Sequence, residues 1–208
     1  IAKTCYNNKL TRLRSEQEPG GAQMEDNLIL VNLKDEDIGV CGKMETHEKG
    51  LLHRAFSIFV FSRDPESGKI DRLLIQKRAS DKYHSGGKWA NSCWSHPRHG
   101  ENLHDAAARR LPEETGITIE RCPLVEEGSF IYRAEFENGL VEYEFDHVLT
   151  GVIKRETPDK DVEFTRNPQE AEEMMFVDLD ELAEDIIKSP EKYAPWFITA
   201  LPIAMKRL

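Results

Sequence analysis

Between Leu51 and Ser62 the chain reads LLHRAFSIFVFS, and its Ala-Phe-Ser-Ile-Phe-Val-Phe centre is apolar at nearly every position. A strand with one wet face alternates apolar and polar side chains, whereas a near-continuous apolar run belongs to a strand covered on both faces. Such cover requires two further layers. The turn Asp64-Pro65-Glu66-Ser67-Gly68 then brings the chain back as a partner strand, Asp71–Arg78, so a sheet lies at the centre.

Shorter β-type runs flank this pair. Asn27–Leu33 is one, and Gly39–His47 reads as a second strand or a loop. Ser129–Glu137 and Leu140–Ile153 form a hairpin around Asn138-Gly139, and Glu173–Val177 is a last strand. Helical patterns cover Glu101–Glu114, with Asn102 or Glu101 at its start and Gly116 at its stop, and Asp178–Lys188, capped by Asp178 or Asp180. Ala194–Leu208 also reads as helical, although Pro202 should bend or divide it. The expected class is α/β in the mixed α+β sense: a mixed β-sheet core with helices on both faces. At 208 residues and 39% hydrophobic composition the chain can bury one good core. Residues 24–208 are expected to form that single domain, and the polar, irregular residues 1–23 a flexible extension.

Lys and Arg number 28 against 38 Asp and Glu, a net charge of −10. This balance argues against nucleic acid or an anionic membrane as partner, and no apolar run approaches membrane-spanning length. An anionic small substrate would need a locally basic pocket. The cysteines at 5, 41, 93 and 122 have neither metal-ribbon nor disulfide-framework spacing, which points to a reducing cytoplasm.

The densest chemistry lies in Trp89–Ile117. Glu101, Asp105, Arg109 and Glu113 fall four apart and line one helix face with charge. The Glu113-Glu114 pair beside Gly116 suits a divalent cation. Farther on, Glu142 and Glu144 are two apart in a strand, so both carboxylates project from one face. Set among Val141, Tyr143 and Phe145, a half-buried pair of this kind needs a cation or a proton between its members. His47, His53 and His96 could complete such a site, and two or three imidazoles with two carboxylates suit manganese, zinc or iron better than magnesium.

From Ser95 to Ile117 the chain resembles the Nudix box. Ser95 takes the place of its leading Gly, Glu101 follows after five residues, and seven residues later comes Arg109-Arg110-Leu111-Pro112-Glu113-Glu114-Thr115-Gly116-Ile117. Arg110 stands where Nudix hydrolases carry a Glu that helps hold catalytic magnesium, which argues against hydrolysis. With Asn91-Ser92 and Ser95-His96-Pro97 around it, the degenerate box looks like that of type I isopentenyl diphosphate isomerase, a branch of the same fold. The likeness extends from about Asn27 to Trp196.

That resemblance implies an enzyme that protonates the terminal alkene carbon of isopentenyl diphosphate and removes a proton from C2, giving dimethylallyl diphosphate. Its partner is a small prenyl diphosphate, and it is expected as a monomer or weak dimer. The likeness implies Mn2+ or Zn2+ held by His47, His53, His96, Glu142 and Glu144. It also implies Mg2+ on the diphosphate, held by Glu114 and by the main-chain carbonyl of Trp94. Lys43, Arg78, Lys82, Ser95 and Arg110 are the implied substrate grip. Glu144 is the implied proton-transfer group, assisted by Tyr132, and Trp196 would face the carbocation. One departure bears on catalysis. The family's catalytic Cys lies two residues before the His of the His-Pro pair; here that position is Trp94, and Cys93 is one earlier. A shift of one residue in an extended segment turns a side chain to the opposite face, so Cys93 is either a substitute catalytic group or only a packing partner. Trp94 is expected to fill the substrate cavity and impair turnover. The alternatives are a Nudix diphosphate hydrolase and a non-catalytic paralogue that binds prenyl diphosphates.

Overall fold

The computed structural model describes residues 27–82 and 84–207, and the extension expected over residues 1–23 lies outside the described residues. Strands β1 (Asn27–Val31), β2 (Asp37–Gly42), β3 (His53–Arg63), β4 (Ile70–Arg78), β5 (Trp89–Ala90), β6 (Cys93–Ser95), β7 (Leu124–Glu135), β8 (Val141–Lys154) and β9 (Ala171–Asp178) form one branched, mixed sheet. Among the described residues four α-helices accompany it: α1 (Lys43–Lys49), α2 (Leu103–Thr115), α3 (Leu179–Lys188) and α4 (Pro195–Ala204).

Strand β3, built on the apolar run, is the trunk of this sheet. It pairs antiparallel with β1, β4 and β6, and parallel with β8 along its whole length. Phe56, Ile58 and Val60 enter one apolar cluster with Ala106, Ala107 and Leu111 of α2. Phe59 and Phe61 enter another with Trp196, Phe197 and Ala200 of α4. Both faces are therefore dry, which is why the strand shows no polar alternation. Each fully buried Phe contributes about 1.5–3 kcal/mol relative to exposure.

Local chemistry sets the ends of the elements. Asn102 caps α2, its side chain accepting from the Asp105 N–H at 2.9 Å, and Gly116 stops it in the left-handed region at φ 68°. A side chain at Gly116 would also collide with Thr165. Glu101 lies just outside the helix and clamps Arg109 through two hydrogen bonds of 2.8 Å. Asp178 caps α3, accepting from the N–H groups of Asp180 and Glu181.

Two expectations need correction. Gly39–His47, read as strand or loop, is the end of β2 followed by helix α1. Seven residues are too few to display a helical apolar period, so Lys-Met-Glu-Thr-His-Glu-Lys gave no helical signal before its stop at Gly50. Pro202 does not divide the last helix, because α4 runs through it to Ala204 before tightening into a 3-10 turn at Met205–Arg207. Among the described residues no helix is long and apolar enough to cross a membrane.

Candidate active site

Strand register assembles the site. In the parallel pair β3–β8, His53 lies opposite Glu144, and in the antiparallel pair β7–β8, Tyr132 lies opposite Glu144 from the other side. Three strands thus place three chemically active side chains in one row. Alternation along β8 puts Glu142, Glu144 and Asp146 on that same face, all fully buried. Helix α1 brings in His47 with Lys43 one turn before it, and the segment after β6 brings in His96.

Backbone carbonyls orient the imidazoles. His47 Nδ1 is 2.6 Å from the Lys43 oxygen, and His53 Nδ1 is 2.9 Å from the Leu51 oxygen. A carbonyl only accepts, so each Nδ1 carries the proton and each Nε2 turns a lone pair into the site. His53 Nε2 is 3.3 Å from Glu144 Oε1 without hydrogen-bond alignment, and His96 Nε2 is 3.1 Å from the same oxygen. The Tyr132 hydroxyl lies 2.7 Å from Glu144 Oε2 and 2.9 Å from Glu142 Oε2.

Burial pushes His47 down to about 4 and His96 to about 3, so both are neutral at pH 7. Burial and the Glu144 charge drive the Glu142 carboxyl upward. For Glu144, burial acts the same way, but the adjoining His53 and His96 rings outweigh it and hold the carboxyl well below its usual range. Tyr132, raised by burial and then by both glutamates, stays protonated and donates.

The lone pairs of His53 Nε2 and of ionised Glu144 face each other across 3.3 Å. That contact is repulsive unless a cation lies between them. A proton would relieve only one pair, and burial opposes protonation of the neighbouring imidazoles. His47, His53, His96 and Glu144 bring ligand atoms within 4.8 Å of one another, and His47, His84 and Glu142 form a second such group. Neutral imidazoles with oriented Nδ1–H groups, together with carboxylates, are the donor set of a divalent transition metal. These residues fit the metal that the sequence implied. His84 lies in an irregular loop, where no periodicity marks a side chain as inward, yet its Nε2 is 2.8 Å from Glu142 Oε1.

A group of cationic side chains lies next to this cluster. Lys43, Arg78, Lys82 and Arg110 line one cavity of about 100 Å3 with Trp94, Ser95, His96 and Glu170. A wider cleft of about 220 Å3 shares five of those residues. In a chain of charge −10, four converging cations are the local basic pocket that an anionic substrate needs. Glu170, in the irregular approach to β9, bridges two of them: its Oε2 is 2.7 Å from Lys82 Nζ and its Oε1 is 3.0 Å from Arg110 Nη2. Arg110 also meets Glu114 Oε1 at 2.6 Å, and Gln76 donates to the other Glu114 oxygen at 3.2 Å. A Glu170→Gln variant frees positive charge in the cavity. Calorimetry without Mg2+ is expected to show inorganic diphosphate binding about tenfold tighter, and unchanged binding would mean that Lys82 and Arg110 do not face the ligand.

Residues 51–197 match the NUDIX domain family. Over 178 residues the chain is 48% identical to isopentenyl-diphosphate Delta-isomerase 2 of Aromatoleum aromaticum, with 86% of each chain covered. The chain belongs to the isopentenyl-diphosphate Delta-isomerase family. It is likewise 45% identical over 174 residues to isopentenyl-diphosphate Delta-isomerase 2 of Photorhabdus laumondii, covering 84% of this chain and 89% of that one. The crystal structure of DR0079 from Deinococcus radiodurans matches with a TM-score of 0.62 at 18% identity, covering 86% of this chain and 99% of that one, and this likeness shows the fold alone.

Strand β6 places Cys93 and Trp94 in different surroundings. Cys93 pairs opposite Ile58 and Trp94 opposite Ser57, so the two side chains leave the sheet on opposite faces. Cys93 is fully buried in the α2-side cluster, and burial, then the charge of Glu114, pushes its thiol well above the usual value. Its side chain packs in that cluster, on the face of the sheet away from Glu144. Trp94 enters the site. Its Nε1–H donates to Glu144 Oε2 at 3.3 Å, its ring stacks on Trp196 at 4.9 Å, and the Arg78 guanidinium lies 5.1 Å from both ring centroids. The Trp196 Nε1–H is fixed on Asn91 Oδ1 at 3.0 Å. The indole of Trp94 therefore fills the space between the Glu144 carboxylate and the Trp196 ring.

Proposed function

We propose that the chain interconverts isopentenyl diphosphate and dimethylallyl diphosphate, and that Trp94 severely impairs this in the present form. The observation that carries the reading is the position of Glu144, which meets His53, His96 and Tyr132 in one buried row beside a four-cation cavity. Lys43, Arg78, Lys82 and Arg110, with Ser95, would grip the diphosphate through charge-assisted hydrogen bonds. Mn2+ or Zn2+ on His47, His53, His96, Glu142 and Glu144 would supply fixed positive charge that keeps the carboxylates in place, and Mg2+ on Glu114 would neutralise the diphosphate.

An alkene is a very weak base, so the proton must be delivered by a positioned acid in a dry pocket. Glu144 Oε2, 2.7 Å from the Tyr132 hydroxyl, is the atom that would give up or take a proton. The face of Trp196 would steady the tertiary carbocation. Arg110 occupies Glu114 and Glu170 by ion pairs, which disfavours the multi-carboxylate magnesium chemistry of a hydrolase and preserves the diphosphate bond. One observation favours a second reading, that of a non-catalytic prenyl-diphosphate binder: the Trp94 ring stands where the reacting carbons would lie. Monomer or weak dimer and a cytoplasmic setting belong to the same proposal.

Product analysis by phosphorus and proton NMR tests the reading. With Mg2+ and Mn2+ or Zn2+ supplied, the chain is expected to bind isopentenyl diphosphate, form dimethylallyl diphosphate slowly and release no phosphate. Phosphate release that disappears in a Glu114→Gln variant would give the site to a hydrolase instead.

A further inference from the structure

We propose that Asn91 is a positioning residue for the isomerisation, and that through its side-chain oxygen it fixes the direction in which the Trp196 ring faces the reacting carbons. The inference rests on the reading of Trp196 as the ring that steadies the carbocation, and it adds a residue that acts through another. Asn91 is fully buried between β5 and β6, and its amide is used at both ends. The Nδ2 group donates to the Cys93 carbonyl at 2.5 Å and to the Ile58 carbonyl at 3.3 Å. A carbonyl only accepts, so these two contacts fix which way the amide points and leave Oδ1 as its acceptor. That oxygen takes the Trp196 Nε1–H at 3.0 Å. The donor end therefore ties β6 to β3, and the acceptor end is committed to the indole.

An indole has one hydrogen-bond donor and no acceptor, so the Asn91 oxygen is the polar contact by which Trp196 is oriented. The other neighbours of the ring are aromatic. Trp94 stacks on it at 4.9 Å, Tyr132 lies at 6.5 Å, and His84 meets it edge-on at 6.1 Å. Stacking sets the plane of a ring but only weakly resists its rotation within that plane. The N–H···O bond supplies that restraint. It matters most when substrate takes the place of the Trp94 indole, because the stacked neighbour is then gone and the hydrogen bond is the directional contact that remains. The same bond draws the indole proton toward oxygen and leaves the π face richer in electrons, which strengthens its attraction for a cation.

Steady-state kinetics on the full chain in the Trp94→Cys background, with Mg2+ and Mn2+ supplied, test this as a double-mutant cycle. Asn91→Leu is expected to lower kcat at least about tenfold, with KM within about twofold and bound metal unchanged, and to cost nothing further once Trp196→Phe is present. Asn91→Asp keeps an oxygen for the indole while giving up the amide donors, and it is expected to retain most of the kcat that leucine loses. Equal losses for leucine and aspartate, or an undiminished loss in the Trp196→Phe background, would assign Asn91 to the sheet alone and overturn the proposal. A Trp196→Phe variant with unchanged kcat would instead remove the reading of Trp196 on which it rests. Proton NMR checks the contact with position 91 unaltered. The Trp196 indole N–H, assigned by its loss in Trp196→Phe, is expected to exchange with solvent at least about a hundredfold slower than free indole. Exchange at the free rate overturns the proposal whatever the variants do.

Discussion

Replacing Trp94 by cysteine is expected to raise the rate of dimethylallyl diphosphate formation by about a hundred- to ten-thousand-fold, the range that one positioned proton-transfer group supplies. Position 94 lies on the strand face that meets the row of His53, Glu144 and Tyr132, so a thiol there would stand across the cavity from Glu144. The substitution also clears the indole from between Glu144 and Trp196. Cys93 cannot anticipate the gain, because it is packed against α2 on the other side of the sheet. The same change should cost stability. Trp94 is 7% exposed and belongs to the α4-side core, and trimming such a side chain costs about 3–5 kcal/mol. Activity and melting temperature are thus expected to move in opposite directions. Trp94→Ala separates the two contributions: it opens the cavity without a thiol, so it should lose as much stability and recover much less activity. Equal rates for the unaltered chain and the Trp94→Cys variant would show that the indole does not obstruct the reaction.

Glu144→Gln, made in the Trp94→Cys background, is expected to lower turnover by at least about a thousandfold and to strip the bound transition metal. One Glu144 oxygen meets His53 and His96, and the other meets Tyr132 and Trp94, so the same carboxylate joins the cluster and, on the proposed reading, would carry the proton. An amide has the same shape, but it is neither an anionic ligand nor a proton carrier. Glu142→Gln should be milder in rate, since Glu142 meets His84 and Tyr132 at the flank of the row. Turnover and metal content measured on both variants check the ranking, and a Glu144→Gln protein that keeps turnover within about tenfold would remove Glu144 from the chemistry.

Much of this site was legible because its geometry follows from short-range rules. The apolar run of β3 announced a strand covered on both faces, and the Glu-x-Glu spacing put two carboxylates on one face of β8. Strand parity likewise separated Cys93 from Trp94. Asp146 continues the same alternation and could have been read from it.

Other features depend on contacts that no local pattern carries. The parallel pairing that sets His53 beside Glu144 joins segments far apart in the chain, and alternation within either strand does not specify it. Helix α1 is too short to show its period, although it alone brings Lys43 and His47 onto one face. His84 and Glu170 sit in irregular segments. Only the folded chain reveals that one faces Glu142 and the other bridges Lys82 and Arg110.

The most direct test follows isopentenyl diphosphate in deuterated water with the Trp94→Cys chain, Mg2+ and Mn2+ or Zn2+, reading carbon-bound deuterium and phosphorus together by NMR. A buried proton-transfer site beside an intact diphosphate grip predicts deuterium in the new methyl group of dimethylallyl diphosphate and no free phosphate. Phosphate released with an unlabelled carbon skeleton would contradict it.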